Sequence, residues 1–245
     1  MPADFLRHKA TDPETLAYLW LALDNRRSVM VCGGSGSGKT TTLNLLSLFV
    51  PPDARVERVE AAAGQDRYES MLAAIQRKPE YLLVREVQGK EAQLAFQAMS
   101  EGLGVCTAIE FPDVGSMVHG LEAPPVNMPR TLFTDLDVLV LQNQVGAGDS
   151  RRRRITNVVE MVGYEKDTNE LITNTAYEWD EGTDTFRSTG HSYLLEKLAE
   201  TKKVTEVEIA KDLKGRAAVL ADMVRKNVTD PAEAVKIIRA YRPVH

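Results

Sequence analysis

Short apolar runs alternate with segments of helical spacing along the chain up to about residue 145. A short apolar run between polar breaks is typical of a buried strand, and apolar residues recurring three and four positions apart predict a covering helix. Strands alternating with helices imply parallel crossovers, so we predict an α/β fold with a mainly parallel sheet. Residues 1–10 are predicted to be a short polar lead. The predicted strands are one ending at Cys32, then 55–60, 81–84, 105–111 and 136–141; the predicted helices are 13–25, 39–49, 66–77, 90–101 and 113–122.

The pattern changes after residue 150. Alternation of apolar and polar residues over 154–164, 170–179 and 185–188 predicts an antiparallel β-meander of three strands. From His191 onward the spacing is helical, and Thr205 with Glu208 fits a capping box. We therefore predict a nucleotide-binding α/β core over residues 1–150, a β-meander extension over 151–190 and a C-terminal helical segment over 191–245.

A glycine-rich loop follows the first predicted strand and has the spacing G-x-x-x-x-G-K-T. Glycines allow the backbone to wrap so that several N–H groups point into one hollow at a helix N-terminus, where phosphate binds. Lys39 is predicted to contact the β- and γ-phosphates of ATP or ADP, and the Thr40 hydroxyl is predicted to hold Mg²⁺. A chance glycine-rich loop is disfavoured because a strand precedes it and a helix follows. The predicted nucleotide-binding residues are Gly33, Gly34, Ser35, Gly36, Ser37, Gly38, Lys39, Thr40 and Thr41.

Glutamates follow the second, third and fourth predicted strands, at Glu60, Glu86 and Glu110. In a parallel sheet these strand ends lie at the same rim as the glycine-rich loop. Glu86 is predicted to orient the attacking water or a water bound to Mg²⁺, and Glu60 is predicted to assist. The alternative for both is a solvated strand-end carboxylate.

The composition is that of an ordinary soluble protein, because 43% of the 245 residues are hydrophobic, 27% are charged and the net charge is −5. The acidic balance gives no general attraction to nucleic acid. Four consecutive arginines at 151–154 permit a nucleic-acid interpretation, but we prefer a charged hairpin that protects an exposed strand edge. Cys32 and Cys106 lack zinc spacing, and each lies in a predicted buried strand, so a reduced, cytoplasmic setting is expected in preference to a disulfide. No apolar run has membrane-spanning length and no signal peptide is apparent, so membrane association is expected only through partners.

Several stretches resemble the motor domain of the type II secretion, type IV pilus and archaellum ATPase family, and its archaeal branch in particular. The resemblance extends over nearly the whole chain from about residue 11. It implies a RecA-like P-loop NTPase, often a hexameric ring, that works in the cytoplasm against a polytopic membrane platform protein. The stretches that carry it are 17–21, 33–44, 51–53, 73–89, 96–99, 124–131, 170–174 and 192–197.

The chain departs from the family pattern where catalysis depends on it. Ala61 stands in place of an aspartate, and residues 62–65 replace an arginine-bearing arm. Gln88 replaces the arginine that follows the Walker B glutamate, and Glu110 replaces a histidine. The family normally carries a separate N-terminal domain that this sequence does not include, so the chain is either a stand-alone relative of the motor domain or an excised piece. Since loss of an arginine finger typically lowers the rate of hydrolysis by a factor of about 10³ to 10⁵, we predict nucleotide binding with slow or absent hydrolysis.

Three functions remain open at this stage. The first is an ATPase that drives a secretion or pilus machine as a homo-hexamer. The second is a regulator or cap that binds nucleotide without turnover and assembles with a full-length secretion motor. The third, supported only by the arginine run, is a nucleic-acid-dependent P-loop protein. The sequence leaves open whether the chain is an enzyme and which apparatus it serves, and we expect no nucleic-acid partner.

Overall fold

The computed structural model describes residues 1–60, 66–148 and 151–243. Within them, eight strands form one sheet in the order β2-β3-β4-β1-β5-β6-β7-β8. Pairing is parallel from β2 through β5 and antiparallel from β5 to β8. The predicted α/β class with a mainly parallel sheet and an antiparallel meander is therefore confirmed. The strands are β1 (Val29–Cys32), β2 (Val56–Val59), β3 (Tyr81–Val84), β4 (Gly104–Ile109), β5 (Val138–Val145), β6 (Arg152–Glu165), β7 (Glu170–Asp180) and β8 (Thr185–Ser188).

The described helices cover both faces of the sheet. Alternate residues of each strand point to opposite faces, so Val29 and Val31 of β1 join one apolar core while Met30 and Cys32 join the other. The helices are α1 (Pro2–Arg7), α2 (Pro13–Asp24), α3 (Lys39–Leu46), α4 (Arg67–Gln76), α5 (Lys90–Ser100), α6 (Val114–Glu122), α7 (Tyr193–Lys202), α8 (Glu206–Arg225) and α9 (Pro231–Ala240), with 3-10 turns at Ser47–Phe49 and Arg130–Asp135.

Local sequence signals set several helix starts. The Asp12 carboxylate accepts a hydrogen bond from the Thr15 amide at 2.9 Å, and Pro13 occupies the first turn of α2. The predicted capping box at Thr205 and Glu208 is present at the start of α8. Those start signals were predictable because capping is decided by residues within one turn.

The polar lead predicted for residues 1–10 is wrong, because residues 2–7 form helix α1. Phe5 and Leu6 are buried, and α1 packs against α8 near the other end of the chain. A helix this short is not stable by itself, so the distant contact with α8 decides its conformation.

The meander and the C-terminal helices are continuous with the core. Strands β6 to β8 extend the same sheet, and α7, α8 and α9 contribute residues to the apolar core that also holds α2 and α3. The division into 1–150, 151–190 and 191–245 stays a prediction. Among the described residues, none of the helices has the combination of length and apolar character that crossing a bilayer requires.

Candidate functional site: the loop between β1 and α3

The glycine-rich loop connects the end of β1 at Cys32 to the start of α3 at Lys39. Gly36 and Gly38 have φ values of 74° and 101°, a region that favours glycine. At Gly33 a Cβ atom would lie 2.1 Å from the carbonyl oxygen of Gln142 on β5. The tight wrap of this loop therefore requires glycine at these three positions.

Lys39 is folded back over the loop and its side chain is only 6% exposed. Its Nζ atom donates hydrogen bonds to the carbonyl oxygens of Gly33 at 2.9 Å and Gly34 at 3.2 Å, and lies 3.3 Å from Glu110 Oε2. An ammonium group has three donors, so these three oxygens satisfy it. The Glu110 side chain is 47% exposed, so this ion pair opens toward solvent.

The N-terminus of α3 fits a phosphate ligand. No side chain caps it, and the first amides of a helix generally lack helical partners, although here the Thr41 amide donates to the Gly38 carbonyl oxygen at 2.9 Å. Ser37 Oγ is buried and has no hydrogen-bond partner among the described residues. Thr40 is half-buried and Thr41 is exposed at the mouth of the loop. The donor set of amides, one ammonium and one threonine hydroxyl suits a polyphosphate with Mg²⁺.

Strands β5 and β6 cover one side of this loop. Gln144 Nε2 donates to the Gly36 carbonyl oxygen at 2.8 Å, and Arg153 Nε donates to the same oxygen at 3.1 Å. The two side chains act together because Gln144 and Arg153 are paired across β5 and β6. Below them, Thr42 Oγ1 donates to Gln142 Oε1.

These glutamine and arginine contacts were not predicted. The apolar run of β5 ends at Leu141, so the prediction stopped there, whereas hydrogen bonding to β6 continues the strand to Val145. Because the chain as a whole is acidic, the run of four arginines suggested only a charged surface hairpin. The one available signal was the polar Gln142-Asn143-Gln144 segment that follows an apolar strand, at the rim where ligands bind.

The arginine run does not protect an exposed strand edge. Arg154 is buried, and its guanidinium donates to Asp184 through Nε at 2.9 Å and NH2 at 3.1 Å. Strand β6 lies between β5 and β7, and just before its pairing with β7 begins at Asn157, the Ile155 amide donates to the Ala10 carbonyl oxygen of the N-terminal segment at 2.7 Å. The hydrogen bonds from Arg154 hold the pKa of Asp184 at about 2, below its usual range. Arg154 is therefore an anchor, and it fixes β6 so that Arg153 faces the loop.

A cavity of about 530 Å³ adjoins the loop on the β5–β6 side. It lies between α1 and the arginine run, and its polar lining comes largely from guanidinium and amide groups. Its volume and position match a nucleoside whose phosphates lie in the loop. The residues that line it include Phe5 and His8 of the N-terminal segment, Gly38 and Thr41 of the loop, Gln144 of β5, and Arg151, Arg152 and Arg153.

The other side of the loop is acidic. Strand β4 lies next to β1, and Glu110 follows its last residue. Glu86 follows β3, one strand further, and is half-buried; its backbone carbonyl accepts a hydrogen bond from Arg67 NH1 at 3.1 Å. Glu86 is thus held at the same rim as Glu110, on the neighbouring strand.

Glu60 lies farther from the loop than the sequence suggested. It follows β2, three strands from β1, which corresponds to about 14 Å between strand axes. It lines a cavity of about 180 Å³ whose described lining also includes Asn44, Arg58 and Arg85. The catalytic roles of Glu60 and Glu86, and the metal-binding role of Thr40 and Glu86, stay predictions. The departures at residues 61–65 lie outside the described residues.

Comparison with solved structures shows which known proteins share this fold. The VirB11 ATPase from the Brucella suis type IV secretion system, crystallised with sulphate, superposes with a TM-score of 0.51 at 22% identity, over 59% of this chain and 52% of that one. The fold is that of the RecA-like secretion ATPases. The type IV secretion system protein PtlH of Bordetella pertussis is 25% identical over 176 residues, which cover 58% of this chain and 52% of PtlH. The chain thus spans about half the length of each of these proteins.

The sequence comparison identifies the family. Uncharacterized protein MJ1287 of Methanocaldococcus jannaschii is 32% identical over 268 residues, covering 100% of this chain and 99% of that protein. The chain belongs to the same family as MJ1287. Uncharacterized protein MJ0900 of the same organism is 30% identical over 254 residues, covering 93% of this chain but 46% of its own length. No established family model matches the chain.

Proposed function

We propose that this chain binds ATP or ADP with Mg²⁺ through residues 33–41 and hydrolyses ATP slowly or not at all. The observation that carries the proposal is the loop itself. A glycine wrap leads into an uncapped helix, and the ammonium of Lys39 is held within hydrogen-bond distance of the loop carbonyl oxygens. In this arrangement the helix N-terminus and the lysine both attract phosphate.

Thr40 and Glu86 are the residues that would hold Mg²⁺, directly or through water. When bound, Mg²⁺ would neutralise charge on the phosphates. Glu86 would orient water at the end of β3, with Glu60 at most a distant contributor. Lys39 would bind the phosphates, and the backbone amides of residues 33–41 would position them.

Slow hydrolysis is expected because, in the described part of the chain, the side chain that contacts Lys39 at the end of β4 is a carboxylate, and the Arg67 guanidinium beside Glu86 is already engaged by Glu91. Glu110 takes a position expected to hold a neutral donor, and its carboxylate lies against Lys39. Arg153 is close to the loop, but it contacts Gly36 from the β5–β6 side, opposite the glutamates. Arg85 lines the small cavity beside Glu60, at the ends of β2 and β3.

A role beside a secretion, pilus or archaellum-like machine is supported by the fold shared with VirB11 and by the sequence likeness to PtlH. Such a chain would act in the cytoplasm, as a homo-hexamer or assembled with a full-length motor, and would reach the membrane through a platform protein. The second candidate is a non-hydrolysing regulator or cap of such a motor. The Lys39–Glu110 ion pair favours this second candidate, because it neutralises the residue on which turnover depends.

Nucleotide affinity and ATP hydrolysis, measured on the same preparations, test the proposal. The wild type should bind ADP with Mg²⁺, and Lys39→Ala should weaken binding by about 100-fold, as expected for loss of a charge-assisted contact to phosphate. Lys166→Ala, in the exposed β6–β7 turn, is the matched control and should bind as the wild type does. Turnover comparable to that of an intact motor would refute the prediction of slow hydrolysis. Equal nucleotide affinities for Lys39→Ala and the wild type would refute binding through residues 33–41.

A further inference from the structure

We infer that the loop is selective for a nucleoside diphosphate over a triphosphate, and that Glu110 determines this selectivity. The inference rests on the proposed function, since it concerns the same loop. Its basis is the difference in charge between the two sides of the loop, which the proposed function alone does not require.

The orientation of the ligand follows from the space around the loop. The cavity of about 530 Å³ lies on the β5–β6 side and is bounded by Gly38 and Thr41 at the start of α3. A nucleoside in this cavity directs its phosphate chain across the loop toward β4, the neighbour of β1 on the other side. The outermost phosphate then approaches the end of β4, where Glu110 lies.

Two phosphates fit this charge distribution. The inner phosphates would lie over the amides of the loop and close to Arg153, whose Nε atom already contacts Gly36 at 3.1 Å. In P-loops the amides hold the α- and β-phosphates, and lysine reaches the β- and γ-phosphates. A diphosphate therefore uses the favourable part of the site and ends at Lys39.

A third phosphate meets a carboxylate. Glu110 Oε2 is 3.3 Å from Lys39 Nζ, so a γ-phosphate bound to the same ammonium would lie only a few ångströms from a like charge. Any phosphate that accepts a hydrogen bond from Lys39 must displace one of its three present partners, and the γ-phosphate is the one that would lie on the Glu110 side. Glu86 lies on the adjacent strand end, where the Arg67 guanidinium contacts its backbone carbonyl oxygen at 3.1 Å, so the repulsion is assigned to Glu110 alone.

The test measures the affinity of the full chain for ADP and for the β,γ-imido analogue of ATP, both in excess Mg²⁺. We expect the wild type to bind ADP at least about 10-fold more tightly than the imido analogue, which is a modest effect for two like charges near a protein surface. Glu110→Gln keeps the side-chain shape and should bring the two affinities to within about 3-fold, chiefly by strengthening triphosphate binding. Glu101→Gln, an exposed residue after α5, should leave the preference unchanged.

The outcomes separate this inference from the proposed function. If both nucleotides bind with equal affinity, or Glu110→Gln leaves their ratio unchanged, diphosphate selectivity is refuted while nucleotide binding stands. If neither nucleotide binds to the wild type, the proposed function itself fails. A wild type that prefers the triphosphate would likewise overturn the role given to Glu110.

Discussion

The two sides of the phosphate loop differ in charge and in how firmly they are held. On the β5–β6 side, Gln144 and Arg153 contact Gly36, and Arg154 anchors β6 through Asp184. On the β4–β3 side, Glu110 contacts Lys39 and is about half exposed. Among the described residues, the first side contacts the loop through an amide and a guanidinium, and the second side contacts Lys39 through a carboxylate. Under the proposed function, nucleotide binding and turnover depend on separate strands of one sheet.

The largest expected effect concerns the anchor of the basic side. Asp184→Asn should lower the free energy of unfolding by about 3 kcal/mol, because Arg154 is left buried with its main ion-pair partner removed. For a chain of this size, that corresponds to a fall in Tm of about 6 to 12 °C. Thermal unfolding measures this change, and Asp167→Asn in the exposed β6–β7 turn is the control. Equal Tm values for Asp184→Asn and the wild type would contradict the anchoring role.

The same contact has a defined pH dependence. The folded-state pKa of Asp184 is lowered to about 2, so the ion pair stabilises the protein at pH values above the ordinary aspartate pKa. The stability difference between wild type and Asp184→Asn should therefore be full above about pH 4 and shrink as the pH falls toward 2. Denaturant unfolding at several pH values measures it, and a difference that grows on acidification would contradict the assignment.

The next largest effect is expected when the positive charge of Arg153 beside the loop is removed. Arg153→Gln should weaken ADP binding by about 10- to 30-fold, as expected for a charge-assisted hydrogen bond to phosphate. Titration calorimetry measures it, and Arg187→Gln, on β8 and largely exposed, is the matched control. The effect should shrink at high salt because charge attraction is screened. An affinity unchanged by Arg153→Gln would assign this arginine to the structure of the loop alone.

A smaller effect is expected at the neighbouring amide. Gln144→Ala removes one neutral hydrogen bond to Gly36 and should weaken ADP binding by about 5-fold, or about 1 kcal/mol. Unlike the Arg153 effect, this loss should not depend on salt. Titration at low and high ionic strength separates the two, and a strongly salt-dependent loss would show that Gln144 acts through Arg153.

The smallest effect is expected on the acidic side, at Glu60. Glu60→Gln should change the affinities for ADP and for the imido analogue by less than about 2-fold, because β2 lies about 14 Å from β1, beyond the Debye length at physiological salt. Parallel titrations with Glu110→Gln measure the contrast. Equal changes for the two variants would mean that a diffuse field, and not the contact at Lys39, governs selectivity.

Most of the fold could be predicted because its signals are local. The apolar runs of β1 and β3 and the caps at Asp12 and Thr205 are each complete within a few residues. Helix α1 was missed because its conformation depends on α8, and the end of β5 was missed because pairing with β6 continues it beyond its apolar run.

The candidate site divides in the same way. Residues 33–41 were predictable as a unit because one continuous loop contains all of them. Gln144 and Arg153 were not, because they come from strands more than a hundred positions later in the chain. Glu60 and Glu86 were placed at the correct rim, but their unequal distance from the loop depends on the strand order.

The sequence by itself determined the phosphate loop, the alternation of strands and helices, and the positions of the glutamates at strand ends. Each of these depends on backbone conformation or hydrophobic period over a short stretch. Only the tertiary structure decided that Glu110 pairs with Lys39 and that Arg153 lies beside the loop. Those contacts join strands β1, β4, β5 and β6, and which strands become neighbours is settled by packing across the whole sheet.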